Sequence, residues 1–430
     1  MKRVVIVGAG IAGLTVAYRL RGKAAVTLLD ERDRLGGVIL TEHHEGFLIE
    51  GGPDSILATK PWGVGLLREL GLEASAIRPR SKVVHVWSRG RLRVLPEGVF
   101  LTVPTRVWPF LTSSLISILG KLRMGLDLVL PRGPEVEDES LASFVKRRLG
   151  REALDKIAEP LMAGIYLASA EKLSLRATFP RFLELEREHR SLIRGLRQAM
   201  PAKPGGSVSP FVSLAGGLGE LVDALAKAID ATVRTRATVT SVAPGVVRTG
   251  DGEIPADAVV VAVPPPRAAA LVGGRLGDAI SKIQSIGSTT VSLGFRDVAL
   301  PDGTGFVIPR AENRRIAACT WSSRKFEGRA PEGHVLVRCF LAGTPSDAVS
   351  IAREEVRALM GIDREPVVAR AYAWPGANPI YEVGHLARVR EIDALTPPGI
   401  FLTGAGFRGI GIPDGVHDAT ETAARIIALP

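Results

Sequence analysis

Val4-Val5-Ile6-Val7-Gly8-Ala9-Gly10-Ile11-Ala12-Gly13 is the stretch on which the fold turns. Four consecutive branched apolar residues read as a strand buried on both faces. A Gly8-x-Gly10-x-x-Gly13 turn follows at once. Ile11 to Leu20 then has helical spacing, with Leu14, Ala17 and Tyr18 on one side. Val26 to Leu29 reads as a second buried strand, and it ends at Asp30. In such a unit Gly8 permits the tight turn, Gly10 lets the backbone approach a pyrophosphate, and Gly13 allows close helix–strand packing. The helix start offers unpaired N–H groups and the positive end of its dipole to phosphate. A carboxylate about twenty residues on, where Asp30 stands, accepts hydrogen bonds from a ribose. A plain glycine-rich turn would not require that carboxylate.

Around this unit the chain has 430 residues, 46% hydrophobic and 23% charged, enough for two or three domains with large cores. Its longest stretch without a formal charge, Pro204 to Gly219, is broken by Gly and Pro. A spanning helix needs about 20 mostly apolar residues, so an integral membrane protein is excluded. Met1-Lys2-Arg3 precedes an apolar run, but that run passes into the glycine turn without a cleavage site, and no targeting segment is expected. Lys and Arg exceed Asp and Glu by 55 to 45, yet the surplus is spread out, with no basic tail or aromatic-interleaved block, so no nucleic-acid partner is expected. The densest basic run, Arg78 to Arg93, is either a solvated face or a handler of anions. Cys319 and Cys339 form no CxxC pair and the seven His no HExxH spacing, so no metal is expected. Two buried free thiols are the expectation for them, a single disulfide the alternative.

Farther along, Glu139 to Ala168, Thr178 to Met200 and Gly216 to Ile229 read as helices. Val233 to Val242, Gly245 to Thr249 and Ala258 to Val263 read as strands. So do Val291 to Phe295, Phe306 to Ile308, Ile316 to Trp321 and Val335 to Phe340. Pro345 to Met360 is a helix, and Ile400 to Thr403 a strand leading into Gly404-Ala405-Gly406 and a closing helix after Asp414. The pattern predicts an α/β protein with interleaved, discontinuous domains. Residues 1–80, 205–270 and 386–430 make a nucleotide-binding domain, 81–204 a helical insertion, and 271–385 a strand-rich substrate domain.

Arg34-Leu35-Gly36-Gly37 adds a second glycine pair, suited to a longer dinucleotide than a nicotinamide one. This arrangement resembles the FAD proteins of the amine-oxidase-like group, with Val38 where that group often has Arg. Further blocks resemble the protoporphyrinogen/coproporphyrinogen oxidase family, with its Rossmann-type FAD-binding domain. They are Gly46-Phe47-Leu48-Ile49-Glu50-Gly51-Gly52-Pro53-Asp54-Ser55, Pro160 to Tyr166, Leu173 to Pro180, His189 to Ile193, Trp374 with Tyr381 to His385, and Thr403 to Asp414. The similarity runs in order from about Val4 to Ile427.

The resemblance implies FAD contacts at Gly8, Ala9, Gly10, Ile11, Ala12, Gly13, Asp30, Glu31, Val38, Gly52, Pro53, Asp54 and Ser55. It also implies Val239, whose backbone would meet the adenine, Trp374 near the flavin, and Gly404, Ile410, Gly411 and Ile412 beside the pyrophosphate and ring. Four glycines within Gly404 to Gly411 independently leave room for a cofactor against bare backbone. For the substrate it implies Lys60, Gly164 and Tyr166, with Leu167-Ala168 replacing a typical Ala-Gly pair. On residue type alone Lys60 is equally a solvated surface lysine.

By resemblance, the activity is oxidation of a porphyrinogen to the porphyrin in haem biosynthesis. FAD takes a hydride from a meso carbon and O2 reoxidises it to give hydrogen peroxide, three times over. No catalytic side chain is named, because the flavin carries the chemistry. Coproporphyrinogen III, with four propionates, is the expected substrate. Lys60 matches the bacterial branch, and Lys82-Val83-Val84-His85 lacks the Arg that holds a propionate in animal and plant enzymes. Alternatives are a protoporphyrinogen IX oxidase, a flavin amine oxidase, which would want an aromatic cage that four Tyr and five Trp poorly supply, and a non-catalytic flavin- or haem-binding regulator. The expected place is the cytoplasm, either free or peripheral at the inner face of the cell membrane through the apolar Trp108 to Leu119 region, with hand-over of product to a later haem-pathway enzyme.

Overall fold

The computed structural model describes residues 1–100, 103–104, 106–199 and 209–430. A five-stranded parallel sheet organises the first part. Its order is β3–β2–β1–β4–β5, where β1 is Lys2–Val7, β2 Ala24–Leu29, β3 Ala231–Arg234, β4 Ala258–Val261 and β5 Ile400–Leu402. The apolar run of β1 is continuous because both its faces are covered. Val4 and Ile6 enter one core with Leu14, Ala17 and Val416; Val5 and Val7 enter the other with Leu271, Ile280 and Ile392. Helix α1 (Ile11–Leu20) and the closing helix α2 (Ile412–Ile427) cover the first face side by side. Three antiparallel strands, Val239–Ala243, Val246–Thr249 and Gly252–Pro255, form a separate small sheet. The expected strand Val233 to Val242 is thus two strands, divided where Arg236 takes a positive φ of 54°.

A seven-stranded sheet forms the second body. Its order is Val368–Pro379, Ser285–Arg296, His334–Ala342, Ala318–Thr320, Gly305–Val307, His85–Ser88 and Arg91–Val94. The hairpin at 85–94 therefore belongs to this sheet, where His85 and Val86 pair in parallel with Phe306 and Val307, rather than to the helical insertion assigned to 81–204. The 204/205 boundary expected from sequence lies outside the described residues. Val368–Pro379, to which the sequence pattern assigns no element, carries Pro375, Gly376 and Pro379. They are tolerated because it is an edge strand, where a proline lacking its N–H breaks no ladder on the outer side. In this sheet Cys319 and Cys339 lie directly opposite each other, both buried and both free. Their contact and burial push the Cys339 thiol up, away from the reactive thiolate.

The helices between these bodies are shorter than the sequence suggests. Glu139 to Ala168 reads as one helix, but Gly150 with φ 90° ends Leu141–Leu149 by capping it with N–H bonds to Val145 and Lys146. Arg190 at φ 59° divides the stretch from Thr178 into Pro180–His189 and Leu192–Ala199; Met200 lies outside the described residues. That turn aims the Arg190 carbonyl inward, where the Arg148 guanidinium donates to it. Among the described residues no helix is long and apolar enough to cross a membrane.

Candidate cofactor and substrate site

The cradle begins with sterics. A Cβ at Gly13 would sit 1.9 Å from the Gly8 carbonyl oxygen, so only glycine lets α1 press on the turn before it. Gly8 itself holds φ 103° and would press a Cβ against Ala262. Gly10 caps α1 in an extended conformation, and neither a side-chain cap nor an acidic first turn occupies its opening N–H groups at Ile11, Ala12 and Gly13. Asp30 closes the turn from below: one carboxylate oxygen accepts the Ala9 N–H at 2.7 Å, the other the Arg32 N–H at 2.9 Å. Each oxygen keeps a lone pair for a ribose hydroxyl.

The second glycine pair lies on the first. Gly36 donates its N–H to the Ala9 carbonyl at 2.8 Å, and a Cβ at Gly37 would come within 3.0 Å of the Gly10 Cα. The guanidinium groups of Arg32 and Arg34 both donate to the Gly37 carbonyl, and both lie over the Trp374 ring at 5.2 and 5.7 Å. Glu31 pairs with Arg267 at 3.6 Å, and Arg267 donates to the Val239 carbonyl at 2.9 Å. The structure thus brings Asp30, Glu31 and Val239 to one place, at the ribose–adenine end implied by the sequence.

The Gly52–Ser55 loop is the next wall. A Cβ at Gly52 would lie 1.9 Å from the Val38 carbonyl, which is why bare backbone is needed there. Trp374 donates its indole N–H to the Gly51 carbonyl at 2.8 Å, and Arg338 donates to the carbonyls of Glu50 and Gly52. The Asp54 carboxylate is consumed inside the protein, by Lys325 at 2.9 Å, Arg338 at 3.1 Å and the Ser55 hydroxyl. The opposing charges outweigh burial and hold its pKa far below the carboxylate range. Asp54 and Ser55 are therefore anchors of the loop, and what Gly52 and Pro53 present is backbone. Lys325 and Arg338 were not found from sequence, since no local spacing marks a cation on one sheet as the partner of a distant loop.

The C-terminal block completes the cradle. Gly404 and Gly409 take φ of 109° and 131°. A Cβ at Gly404 would face Ala12 at 3.8 Å, and one at Gly415 would face Ile11 at 3.5 Å. Gly411 caps α2 without a side-chain hydrogen bond, and Pro413 occupies its first turn. Two helix starts from opposite ends of the chain are therefore neighbours, each offering free N–H groups. Ile410 is half-buried and Ile412 buried on the turn between them. Glycines that clear the floor, two helix starts without side-chain caps and a carboxylate with lone pairs to spare fit an extended dinucleotide.

Two of the substrate candidates, Lys60 and Tyr166, lie within the influence of one acid, Asp414. Lys60, just before the helix Pro61–Glu69, gives its ammonium to both oxygens of Asp414 in the first turn of α2, at 2.5 and 2.7 Å. Tyr166 ends the helix Glu159–Tyr166, which also carries Gly164, and packs edge-on to Phe179. Burial, and then the charge of Asp414, push its phenol up. Lys60 is thus a paired lysine, neither free nor simply solvated. Its partner Asp414 is marked in the sequence only as the end of the Thr403–Asp414 block.

His385, from the Tyr381–His385 block, is fully buried and donates Nε2–H to the Phe407 carbonyl at 3.0 Å, while Nδ1 has no hydrogen-bond partner among the described residues. Burial lowers its pKa to about 4, from about 6.5 in the unfolded chain. The unfolded state binds the proton first, so the neutral histidine contributes stability that is complete above pH 6.5 and lost as pH falls toward 4. The loss is about 3 kcal/mol. Urea unfolding at pH 7.5 and 4.5 should record most of it for the natural chain, and a markedly smaller change for His385→Gln.

Known proteins resemble the chain over nearly its whole length. Residues 11–427 match the family described as flavin containing amine oxidoreductase. The coproporphyrinogen III oxidase of Bacillus subtilis (strain 168) is 35% identical, covering 96% of this chain and 95% of its own. That of Propionibacterium freudenreichii subsp. freudenreichii is also 35% identical, over 98% of this chain and 90% of its own. A solved structure from Exiguobacterium sp. 255-15, described provisionally as a protoporphyrinogen oxidase, superposes with a TM-score of 0.89 at 28% identity, covering 99% of this chain and 98% of that one.

Proposed function

The chain belongs to the flavin containing amine oxidoreductase family, and from that premise we propose that it is an FAD-dependent coproporphyrinogen III oxidase of haem biosynthesis. The observation that carries this is the pair of uncapped helix starts set side by side, with the Gly52 loop beside them and a lysine–carboxylate pair at the edge. FAD, when bound, supplies the acceptance of two electrons in each of three dehydrogenations, with O2 as the final acceptor. The residues Gly8 to Gly13, Asp30, Glu31, Val38, Gly52, Pro53, Val239, Trp374, Gly404 and Ile410 to Ile412 would hold it, with Asp54 and Ser55 anchoring the Gly52 loop from behind. The chain's own work is to orient the macrocycle and exclude water.

Lys60 is assigned to a substrate propionate, with Tyr166 and Gly164 on the adjoining wall. An ammonium–carboxylate bond contributes about 1.5–3 kcal/mol. Lys60→Met should therefore raise KM for coproporphyrinogen III roughly tenfold or more, with a smaller loss of FAD affinity because Asp414 is left unpaired in the first turn of α2; porphyrin fluorescence and flavin titration read the two. The reading as a whole is tested by anaerobic mixing of the flavin-loaded protein with coproporphyrinogen III. Bleaching of the flavin, followed by hydrogen peroxide on admitting air, is expected. Faster bleaching by protoporphyrinogen IX would move the assignment to the two-propionate substrate, and no bleaching by either would end it.

Peripheral attachment to an anionic membrane is also part of this proposal. Trp108, Ile118 and Leu119 are 74%, 77% and 78% exposed, with Leu111 and Leu122 beside them on two short helices that also carry Lys121 and Arg123. Sedimentation with phosphatidylglycerol vesicles should capture the natural chain, and a Trp108→Ser/Leu119→Ser variant should stay in solution.

A further inference from the structure

The segment Tyr381–His385 makes more contacts to the C-terminal glycine turn than packing alone requires. The Tyr381 hydroxyl donates to the Ala405 carbonyl at 2.8 Å and accepts the Gly409 N–H at 2.6 Å. His385 stacks on the Tyr381 ring, centroids 3.8 Å apart and planes 12° off parallel, and donates to the Phe407 carbonyl between those two points. Two buried side chains thus fix three backbone groups in five residues of a loop where Gly404 and Gly409 leave the chain conformationally free. The same segment is tied on its other side to the helical part: Ser174 donates its N–H to the Tyr381 carbonyl at 2.7 Å, Val383 donates to Lys172 at 3.1 Å, and Gly384 donates to the Asp138 carboxylate at 2.9 Å.

We propose that Tyr381 and His385 are positioning residues that set the turn bearing Ile410, Gly411 and Ile412 against the cofactor and lock it in register with the substrate-side helices. This rests on the FAD reading above. The physical reason is that a glycine turn cannot hold a ligand at atomic tolerance by itself. Its backbone entropy has to be removed by partners outside it.

The experiment compares Tyr381→Phe, His385→Gln and His385→Phe with the natural chain. It uses titration of apoprotein with FAD and the visible spectrum of bound flavin. Tyr381→Phe keeps the stacked ring and removes both hydroxyl bonds, so FAD affinity should fall about tenfold or more, and the resolved shoulders of the bound-flavin band should blur. His385→Gln keeps a donor for Phe407 and should bind near normally, whereas His385→Phe should lose affinity. Phe144→Leu, in the helical core, provides the comparison: it should lower the melting temperature and leave both flavin readouts unchanged.

An unchanged spectrum with affinity within twofold for Tyr381→Phe overturns the inference. So does loss of affinity in Phe144→Leu as large as that in Tyr381→Phe. Should Tyr381→Phe fail to fold, the two His385 variants decide, and equal FAD binding by both overturns it. A natural chain that binds no FAD removes the functional reading as well, which separates the two failures.

Discussion

Gly10→Ala is expected to fold normally and to lose FAD affinity by at least about a hundredfold, or about 2.7 kcal/mol. The separation of the two effects comes from the geometry. Gly10 has φ −71° and ψ −178°, a conformation open to any residue, and a Cβ there would meet only the Gly37 Cα at 4.0 Å. The protein itself has room for the methyl group. What the methyl occupies is the approach to the first N–H groups of α1, where a pyrophosphate would lie. The melting temperature of the apoprotein should stay within a few degrees of the natural value, while fluorescence titration with FAD gives no saturation at micromolar concentrations. Gly13→Ala supplies the contrast. Its Cβ collides with the Gly8 carbonyl at 1.9 Å, so it should lose stability and flavin together. Normal flavin loading by Gly10→Ala would place the phosphates elsewhere and dismantle the site.

Arg148→Met is expected to cost about 3–5 kcal/mol of stability. Arg148 and Asp127 are 1% and 0% exposed at the centre of the helical part. Nε and Nη2 of Arg148 bind the Asp127 carboxylate, and the guanidinium also donates to the carbonyls of Asp127, Pro131 and Arg190. The other Asp127 oxygen accepts the Ser191 hydroxyl at 2.7 Å and the Ile193 N–H at 3.0 Å. Methionine fills the volume but leaves a buried carboxylate and three carbonyls short of donors. The paired change Arg148→Met/Asp127→Leu should recover part of the loss, because the stranded charge is then gone. Arg147, one residue away, pairs with Glu139 and Glu186 in a less enclosed site, its side chain 24% exposed, and Arg147→Met should cost less, about 2 kcal/mol. Urea unfolding followed by tryptophan fluorescence ranks the three. A loss below about 1 kcal/mol for Arg148→Met would remove the pair as the keystone of this region.

Much of the candidate site is legible in the sequence. The Gly8 to Asp30 unit was readable because strand, turn, helix and carboxylate follow one another within a few tens of residues. The conformations involved are set by local sterics. The Thr403–Asp414 block was readable for the same reason, as glycines bunched before a helix. What failed did so where the deciding contact lay far off. Glu139 to Ala168 has helical periodicity throughout, yet Gly150 with φ 90° breaks it, and Arg190 with φ 59° breaks the stretch from Thr178 where its carbonyl turns to Arg148. Val368–Pro379 carries turn residues, yet the free edge of a seven-stranded sheet accommodates them as a strand.

By itself, then, the sequence determined that the chain opens with a dinucleotide cradle, closes with a second glycine turn, and carries the blocks of a porphyrinogen-oxidising family between them. Only the tertiary structure decided that the two turns are neighbours, with Gly404 against Ala12 and Gly415 against Ile11. It alone assigned Asp414 to Lys60 across 354 residues, and the Tyr381–His385 pair to the backbone of the loop after Gly404. The reason is physical. Backbone conformation is encoded by neighbours along the chain, but a charge or a hydroxyl takes whichever partner the packed elements bring within about 3 Å.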